Sequence, residues 1–284
     1  MNASTMIGIL VGALSIFGAF LWEGGQIGSL FMWPAILIVF GGTIAAGVAG
    51  SSLSMLKDMP KLIKVAFFPK KYDVEAIIHQ IVLFAGIARK EGILAIEHRL
   101  NNVKHPYMTK FFEVCIDGAD PDTLEQIFKT EIAYITERHN ANIAFFNKLG
   151  GYSPTMGIIG TVMGLISTLA SAGSDPNVLI HHIASAFIAT MWGIFMANIV
   201  WLPIADKLQL LHDEEVVLMQ VMLDGVRSVQ LGETPIVIQN RLASAFPLSL
   251  QKKFISKRKS AEPPQPSIVE PSPAVFDSSD NQIK

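Results

Sequence analysis

Four apolar runs constrain the fold of this chain more than any other feature of the sequence. They cover residues 6–22, 31–50, 152–171 and 183–202. Each run approaches the ~20 residues that an α-helix needs to span the hydrocarbon of a bilayer. Longer polar segments follow the second run and the fourth run. The pattern predicts an all-α integral membrane protein with four transmembrane helices, a helical cytoplasmic domain between spans two and three, and a cytoplasmic C-terminal helix.

Composition agrees with a membrane protein and excludes several other classes. Half of the 284 residues (50%) are hydrophobic, only 16% are charged, and the mean hydropathy is +0.41. A chain of this size with so few charges is too apolar for an ordinary soluble protein. The net charge of −2 gives no indication of nucleic-acid binding, and the single cysteine has no metal-binding spacing around it. Without a nucleophile–base set or a glycine-rich phosphate loop, we expect no enzyme activity, no cofactor and no bound metal.

Lysine distribution predicts the orientation of the chain and its division into segments. Lysines cluster directly after the second run, whereas the two short loops within the run pairs contain no Lys or Arg. Because positive charge is retained on the cytoplasmic side, the large polar segment and both termini should be cytoplasmic. The predicted segments are spans one and two (1–50), a cytoplasmic helical domain (51–150), spans three and four (151–203), a cytoplasmic helical segment (204–256) and a disordered Pro/Ser-rich tail (257–284).

Local signals predict where several helices begin and end. Gly92 should break one cytoplasmic helix, and Asp120 followed by Pro121 is a typical N-cap and first turn. The glycine pair before Pro154 would allow a bend as this helix enters the membrane. We place His181, with the histidine next to it, in the short outer loop between spans three and four.

Small and hydroxylated residues mark the third run. Gly157, Gly160 and Gly164 lie at three- and four-residue spacing, which lets helix backbones approach closely. Thr161 lies among them, and Thr190 is a central polar group of the fourth run. A threonine in a membrane helix either bonds a carbonyl of its own helix or lines a path.

No run contains an Asp, Glu, Lys, Arg or His. Because cation pathways usually need an ionisable group at depth, the chain should not move a cation alone. If it conducts, a partner must bring the carboxylate, and this chain supplies walls that carry hydroxyl groups.

Six segments together resemble a known family. They are "ARKEGILAIE" (88–97), "IDG" (116–118), "ERH" (137–139), "YSPTMGIIGTVMGLI" (152–166), "FIATMWGIFMANIVWLPIADKL" (187–208) and "VMLDGVRSVQLGETP" (221–235). With the two-plus-two arrangement of spans, they resemble the flagellar motor stator A subunits, the MotA/PomA/MotP family of the MotA/TolQ/ExbB superfamily. The resemblance covers nearly all of residues 1–250.

The resemblance implies an assembly in the bacterial inner membrane. Five A subunits would surround a dimer of the B subunit (MotB, PomB or MotS type), whose single membrane helix carries an aspartate. Passage of Na⁺ or H⁺ through that aspartate would drive rotation, and the cytoplasmic A domains would push on FliG, the rotor switch-complex protein.

The same resemblance assigns roles to particular residues. Arg89 and Glu97 match the charged pair that the family uses against the rotor, and Lys90 is an adjacent charge found in part of the family. Pro154 and Pro203 match two prolines at the membrane edge.

Thr161 and Thr190 match two threonines of the sodium-driven branch, in which two hydroxyls near a partner carboxylate could replace part of the water shell of Na⁺. We therefore favour sodium over the proton. The proton stays open as an alternative, because a threonine at position 190 occurs in both branches.

Two other functions compete with the stator interpretation. One is a proton-channel subunit of the ExbB/TolQ type, but those proteins have three spans with the large loop after the first. The other is a membrane scaffold whose helices only assemble partners, which a measurement of ion flux would distinguish.

Overall fold

The chain is helical throughout the part that the structure describes. This structure is a computed structural model and describes residues 3–70, 72–103, 105–171, 173, 175–248 and 251. The predicted all-α fold is confirmed. The α-helices are α1 (Ala3–Trp22), α2 (Trp33–Ile36), α3 (Gly42–Ala49), α4 (Leu53–Phe67), α5 (Val74–Glu91), α6 (Pro106–Ile116), α7 (Pro121–Ala170), α8 (Pro176–Phe195), α9 (Leu202–Gln230) and α10 (Pro235–Ala243).

Shorter helical segments connect some of these helices. Two π-helical stretches, Leu37–Gly41 and Met196–Trp201, join α2 to α3 and α8 to α9 without a break. Two 3₁₀ segments, Ile27–Leu30 and Ile93–Asn102, precede α2 and follow α5.

The described helices give three or four candidate spans, which is consistent with the predicted four. Within the described residues, three helices are long and apolar enough to cross a membrane by themselves: residues 5–22 of α1, the helix α7, and the continuous helix Pro176–Gln230 formed by α8 and α9. The segment Trp33–Ala49 passes the same test only together with α4, from which it is bent by 120°. The number of spans is therefore three, or four if that bent pair crosses once.

A single helix of 50 residues, α7, joins the polar domain to the membrane. The predicted N-cap is confirmed, because the Asp120 carboxylate accepts hydrogen bonds from the backbone N–H groups of Asp122 at 3.1 Å and Thr123 at 3.0 Å. The side-chain hydrogen bond from Thr123 and the backbone hydrogen bonds lower the pKa of Asp120. The helix continues through Pro154. The predicted border between residues 150 and 151 therefore falls inside one element.

The predicted position of His181 and His182 is wrong. Both residues lie on α8, which begins at Pro176, and not in a loop. The helix starts this early because the Asp175 carboxylate accepts a hydrogen bond from the N–H of Asn177 at 2.9 Å and Pro176 occupies the first turn.

Two hydrophobic clusters hold the fold together. The first fills the polar domain between α5, α6, α10 and the outer halves of α7 and α9, with ring contacts such as Phe111–Phe128 at 4.0 Å between centroids. The second lies where α7 and α9 meet the membrane segments and includes Phe145, Phe146 and Leu149. Because α7 and α9 contribute to both clusters, the two halves of the protein are joined by continuous helices.

Helix α4 has the character of a helix at a membrane surface. Its exposed side carries Lys57, Lys61 and Lys64, and Lys61 pairs with Asp58 at 3.1 Å. Its other side packs on the second cluster through side chains that include Met59. An amphipathic helix with lysines on the polar face is typical of the headgroup region. The predicted disordered tail at 257–284 lies outside the described residues.

Candidate functional site: the α7–α8 helix pair and the α5 terminus

Glycines bring α7 and α8 into backbone contact. A Cβ atom added at Gly157 would lie 2.9 Å from the carbonyl oxygen of Ala189. One at Gly160 would lie 2.6 Å from the Cβ of Ala189, and one at Gly164 would lie 2.8 Å from the Cβ of Ala186. Real Cβ atoms do not approach so closely, so each position requires glycine. The predicted close packing of this stripe is confirmed, and its partner is the next helix of the same chain.

The contact extends toward Pro154 through a glycine of α8. A Cβ atom added at Gly193 would lie 2.7 Å from the carbonyl oxygen of Ser153 and 3.0 Å from the Cα of Gly157. Pro154 has no N–H, so the carbonyl of Gly150 loses its ordinary intrahelical partner. The backbone beside Pro154 is therefore held by packing across the helix pair as well as by the helix itself.

This packing places the two predicted threonines side by side. The Thr161 and Thr190 hydroxyls are hydrogen bonded to each other. Thr161 Oγ1 also lies 3.1 Å from the carbonyl oxygens of Gly157 and Ala186, and Thr190 Oγ1 lies 3.5 Å from that of Gly157. The two hydroxyl protons can both be donated inside this group of four oxygens, which leaves lone pairs on the hydroxyls free to accept. Both threonines are partly exposed in the isolated chain.

The electrostatics of the pair define what it can do. Hydroxyl oxygens are hard, neutral ligands that can replace water around a cation, but they cannot neutralise its charge. The described apolar segments contain no Asp, Glu, Lys or Arg; these segments are residues 5–22, 33–49, 152–170 and 176–201. The pair can therefore assist the passage of a cation only beside a negative charge from elsewhere.

Pro203 lies apart from the pair. It is in the first turn of α9, directly after the π-helical stretch Met196–Trp201, and it is partly buried. Its contacts include a cavity shared with Thr5 and Gly8 of α1. The structure thus connects Pro154 with the threonines through Gly157, and places Pro203 at the contact of α9 with α1.

The three predicted rotor residues form an exposed charged edge of the polar domain. Arg89 and Lys90 lie in the last turn of α5, and Glu97 lies in the following 3₁₀ segment. Gly92 makes the connection with φ of +87°, a conformation that favours glycine. Ile96 is fully buried and anchors the segment beneath these charges. Among the described residues, none of the three forms an ion pair within 4 Å.

The sequence did not reveal a histidine pair between α7 and α9. His139 Nδ1 lies 3.2 Å from His212 Nδ1, and 3.7 Å from a carboxylate oxygen of Glu215. Burial lowers the pKa of His139 and outweighs Glu215, which acts to raise it, while His212 and Arg138 lower it further. Since the two histidines are 73 residues apart, no local pattern could have linked them.

Comparison with known sequences identifies the family. Residues 99–221 match the MotA/TolQ/ExbB proton channel family, and residues 6–92 match the family described as motility protein A N-terminal. The chain is 33% identical over 255 residues to "Motility protein A" of Bacillus subtilis, an alignment that covers 89% of this chain and 94% of that protein. It is 34% identical over 242 residues to "Chemotaxis protein PomA" of Vibrio alginolyticus, with 85% of this chain and 94% of that protein covered.

Solved structures agree with the sequence comparison. The fold is similar to the flagellar MotAB stator complex of Bacillus subtilis, with a TM-score of 0.81, 33% identity, and coverage of 90% of this chain and 98% of the other. It is also similar to MotAB of C. jejuni, with a TM-score of 0.82, 25% identity, and coverage of 87% and 97%.

These matches define a class of membrane protein, and the chain belongs to the MotA/TolQ/ExbB proton channel family. Within that class it falls in the motility protein A branch, the A subunits of flagellar stators, because the N-terminal match and both groups of relatives are of that type. Proteins of this branch are channel and motor components and not enzymes. The resemblance predicted from the six segments is confirmed.

Proposed function

We propose that the chain forms a cation channel with a B subunit and converts ion flow into torque for swimming. The observation that carries the proposal is the Thr161–Thr190 hydroxyl pair in spans without any acid. A B subunit of MotB, PomB or MotS type would supply a membrane aspartate beside this pair. The similar structures from Bacillus subtilis and C. jejuni are MotAB complexes, which supports a B subunit as the partner.

The proposed assembly is a ring of five copies around two B subunits. Both helices that carry the threonines have apolar side chains exposed in the isolated chain, among them Val162, Leu165 and Phe187. Uncovered apolar surface of this kind needs either lipid or a partner helix. A ring around a B dimer would give the inner part of this surface protein partners and leave the outer part to lipid.

Sodium is the proposed coupling ion. Two hydroxyl oxygens at one depth, with lone pairs left over, can replace part of the water shell of Na⁺, whereas a proton on a carboxylate needs no such ligands. The competing proposal is the proton, for which the same hydroxyls would only pack or hold water. Sodium dependence of swimming separates the two.

The polar domain is proposed to act on the rotor protein FliG through Arg89, Lys90 and Glu97. All three side chains are exposed, and their charges have no ion-pair partner among the described residues. Charges at the rim of an interface set orientation and partner choice more than affinity. A charged edge of this kind fits a contact with FliG that forms and breaks repeatedly as the rotor turns.

The proposed location is the bacterial inner membrane, with both termini in the cytoplasm. The lysines of α4 support this orientation, because they lie at the membrane end from which the polar domain extends. The match of residues 6–92 to the motility protein N-terminal family also favours the stator over an ExbB/TolQ-type subunit.

The deciding experiment makes this chain the only stator A subunit of a motile cell. Swimming speed is then measured against external sodium at fixed pH, and against pH at fixed sodium. Speed that saturates with sodium and is insensitive to a protonophore is the expected result. Speed that follows pH alone would assign the proton, and absence of motility with the complex correctly assembled would contradict the stator proposal.

A further inference from the structure

A cavity between α1 and α9 is lined by a lysine that the ion path and the rotor contact do not use. Its volume is about 400 Å³. The side chain of Lys207 lines it and is only 6% exposed. Among the described residues, no hydrogen bond or ion pair joins this ammonium group. The polar and turn-forming residues of the lining are Thr5, Gly8, Asn198, Pro203, Asp206 and Lys207.

Lys207 has a buried stem, and its ammonium group is open to the cavity and can receive an anion there. Burying an ammonium group costs free energy unless an opposite charge or several acceptors compensate. Asp206 is the adjacent acid, but it is exposed and lies more than 4 Å from the Lys207 ammonium. Asn198 donates its amide N–H to the Ile194 carbonyl at 2.9 Å, and among the described residues its side chain forms no hydrogen bond with Lys207. The cavity therefore leaves the ammonium group accessible to an anion from outside the chain.

The depth of the cavity in the membrane indicates which anion this is. Pro203 and Lys207 lie where the apolar part of α8–α9 ends and the polar part begins. Helix α4, with its outward lysines, packs at the same end against the second hydrophobic cluster, as does Leu208 of α9. These features place the cavity at the headgroup level of the leaflet on the side of the polar domain.

We propose that this cavity binds the phosphate of an anionic phospholipid, with Lys207 as the charge contact. The acyl chains would lie on α1, whose span 5–22 is 0% buried by the rest of the chain. Gly8 leaves the entrance open, because a Cβ added there would meet nothing within 4 Å. Lysine suits the site because its long apolar stem can remain among α1 and α9 while the ammonium group reaches the headgroup level.

The test measures lipid retained by the full-length chain purified in its stator complex. Complexes are taken from nanodiscs of phosphatidylglycerol or phosphatidylcholine, and bound lipid is counted by native mass spectrometry. Lys207→Gln should reduce retained phosphatidylglycerol about fivefold, the change expected for a lysine worth about 1 kcal/mol near an anionic surface. Lys129→Gln on α7, an exposed lysine of the polar domain, is the matched control and should retain lipid as the wild type does.

Two further variants keep the proposal testable if Lys207→Gln does not fold. Gly8→Leu fills the entrance without removing the charge and should also lower retention. Asp206→Asn removes a repelling carboxylate and should raise it. Equal retention of lipid in all variants would overturn the proposal. Binding of inorganic phosphate alone at Lys207 would also overturn it, as would a cross-link showing that Lys207 contacts a neighbouring copy. Equal retention of phosphatidylcholine would overturn the preference for an anionic lipid.

Discussion

Thr161 of α7 and Thr190 of α8 share a hydrogen bond although 29 residues separate them in the sequence. The contact exists because the glycines around them bring the two helix backbones together. It places two hydroxyl oxygens at the same depth, with their protons already donated within the pair or to the carbonyls of Gly157 and Ala186. The first prediction concerns these oxygens.

Thr161→Val should weaken the sodium dependence of swimming more than it weakens folding. Valine keeps the shape of threonine and removes the hydroxyl, whose net contribution to stability is about 1 kcal/mol. We expect the sodium concentration for half-maximal speed to rise, and Thr161→Ser to restore it in part.

Thr168→Val is the matched control for this change. Thr168 lies on the same helix, and the one hydrogen bond of its hydroxyl among the described residues goes to the carbonyl of Gly164, at 2.9 Å. If Thr161→Val leaves the half-maximal sodium concentration unchanged and speed follows pH, the pair only packs and the coupling ion is the proton.

Gly193→Ala should destabilise the α7–α8 contact. The new methyl group would lie 2.7 Å from the Ser153 carbonyl oxygen, and overpacking of this kind costs about 1–3 kcal/mol. The thermal unfolding midpoint of the purified protein should therefore fall. Gly151→Ala is the control, since nothing lies within 4 Å of its added Cβ. An equal midpoint for Gly193→Ala and the wild type would contradict the prediction, because it would show that α7 and α8 accommodate the methyl group without loss of stability.

Reversal of the charges at Arg89 and Glu97 should reduce torque but leave assembly intact. Both side chains are exposed outside the membrane segments, so Arg89→Glu removes no packing. Swimming under high viscous load should slow most, and an opposite reversal on FliG should restore part of the speed. Glu113→Lys, an exposed reversal on α6, is the control. Normal speed under load for both Arg89→Glu and Glu97→Lys would exclude this edge as the rotor contact.

The chain without a B subunit should conduct little. Its described apolar segments contain no acid, and a bare cation in hydrocarbon needs a compensating charge. Ion flux into liposomes should appear only when the complex with the B subunit is reconstituted. A robust cation current from the chain alone would contradict both the prediction and the role assigned to the partner aspartate.

Stability should fall below about pH 6.5 because of His139. Burial holds the pKa of this side chain below its ordinary value of 6.5, so the unfolded chain binds the proton more readily than the folded one. The stability that depends on a neutral His139 is fully present above pH 6.5 and is lost as the pH falls toward the lower pKa of the folded state.

Thermal unfolding midpoints at about pH 7.5 and about pH 5.5 would test this sign, because the two values lie on either side of an ordinary histidine pKa. His139→Gln should make the difference between the two midpoints smaller, whereas His98→Gln, an exposed histidine, should leave it unchanged. A larger difference between the two midpoints in His139→Gln than in the wild type would contradict the prediction.

Local chemistry explains what the sequence predicted correctly. The start of α7 follows from Asp120 and Pro121, and the α7–α8 contact follows from small residues at helical spacing, because both signals lie within a few residues. The wrong placement of His181 has a similar local origin. Hydropathy gave more weight to the polar histidines than to the cap at Asp175, which begins the helix before them.

Features that depend on distant parts of the chain could not be predicted. The His139–His212 pair and the cavity at Lys207 arise because α9 packs against α7 and α1, and no pattern within either helix indicates this. The hydrogen bond between Thr161 and Thr190 also depends on how two helices pack, because 29 residues separate the two threonines.

Because α7 is one unbroken helix, its length sets a rotation about the helix axis as well as a distance. From its cap at Asp120 to Thr161, every residue of this helix contributes about 100° of rotation and about 1.5 Å of rise. Loss of a single residue between the cap and Ser153 would turn the α7–α8 pair by that angle relative to the polar domain, even if every side chain at either end were unchanged. The number of residues in this segment therefore sets the angular phase between the polar domain and the hydroxyl pair, and changes of length there should be tolerated far less than changes of composition.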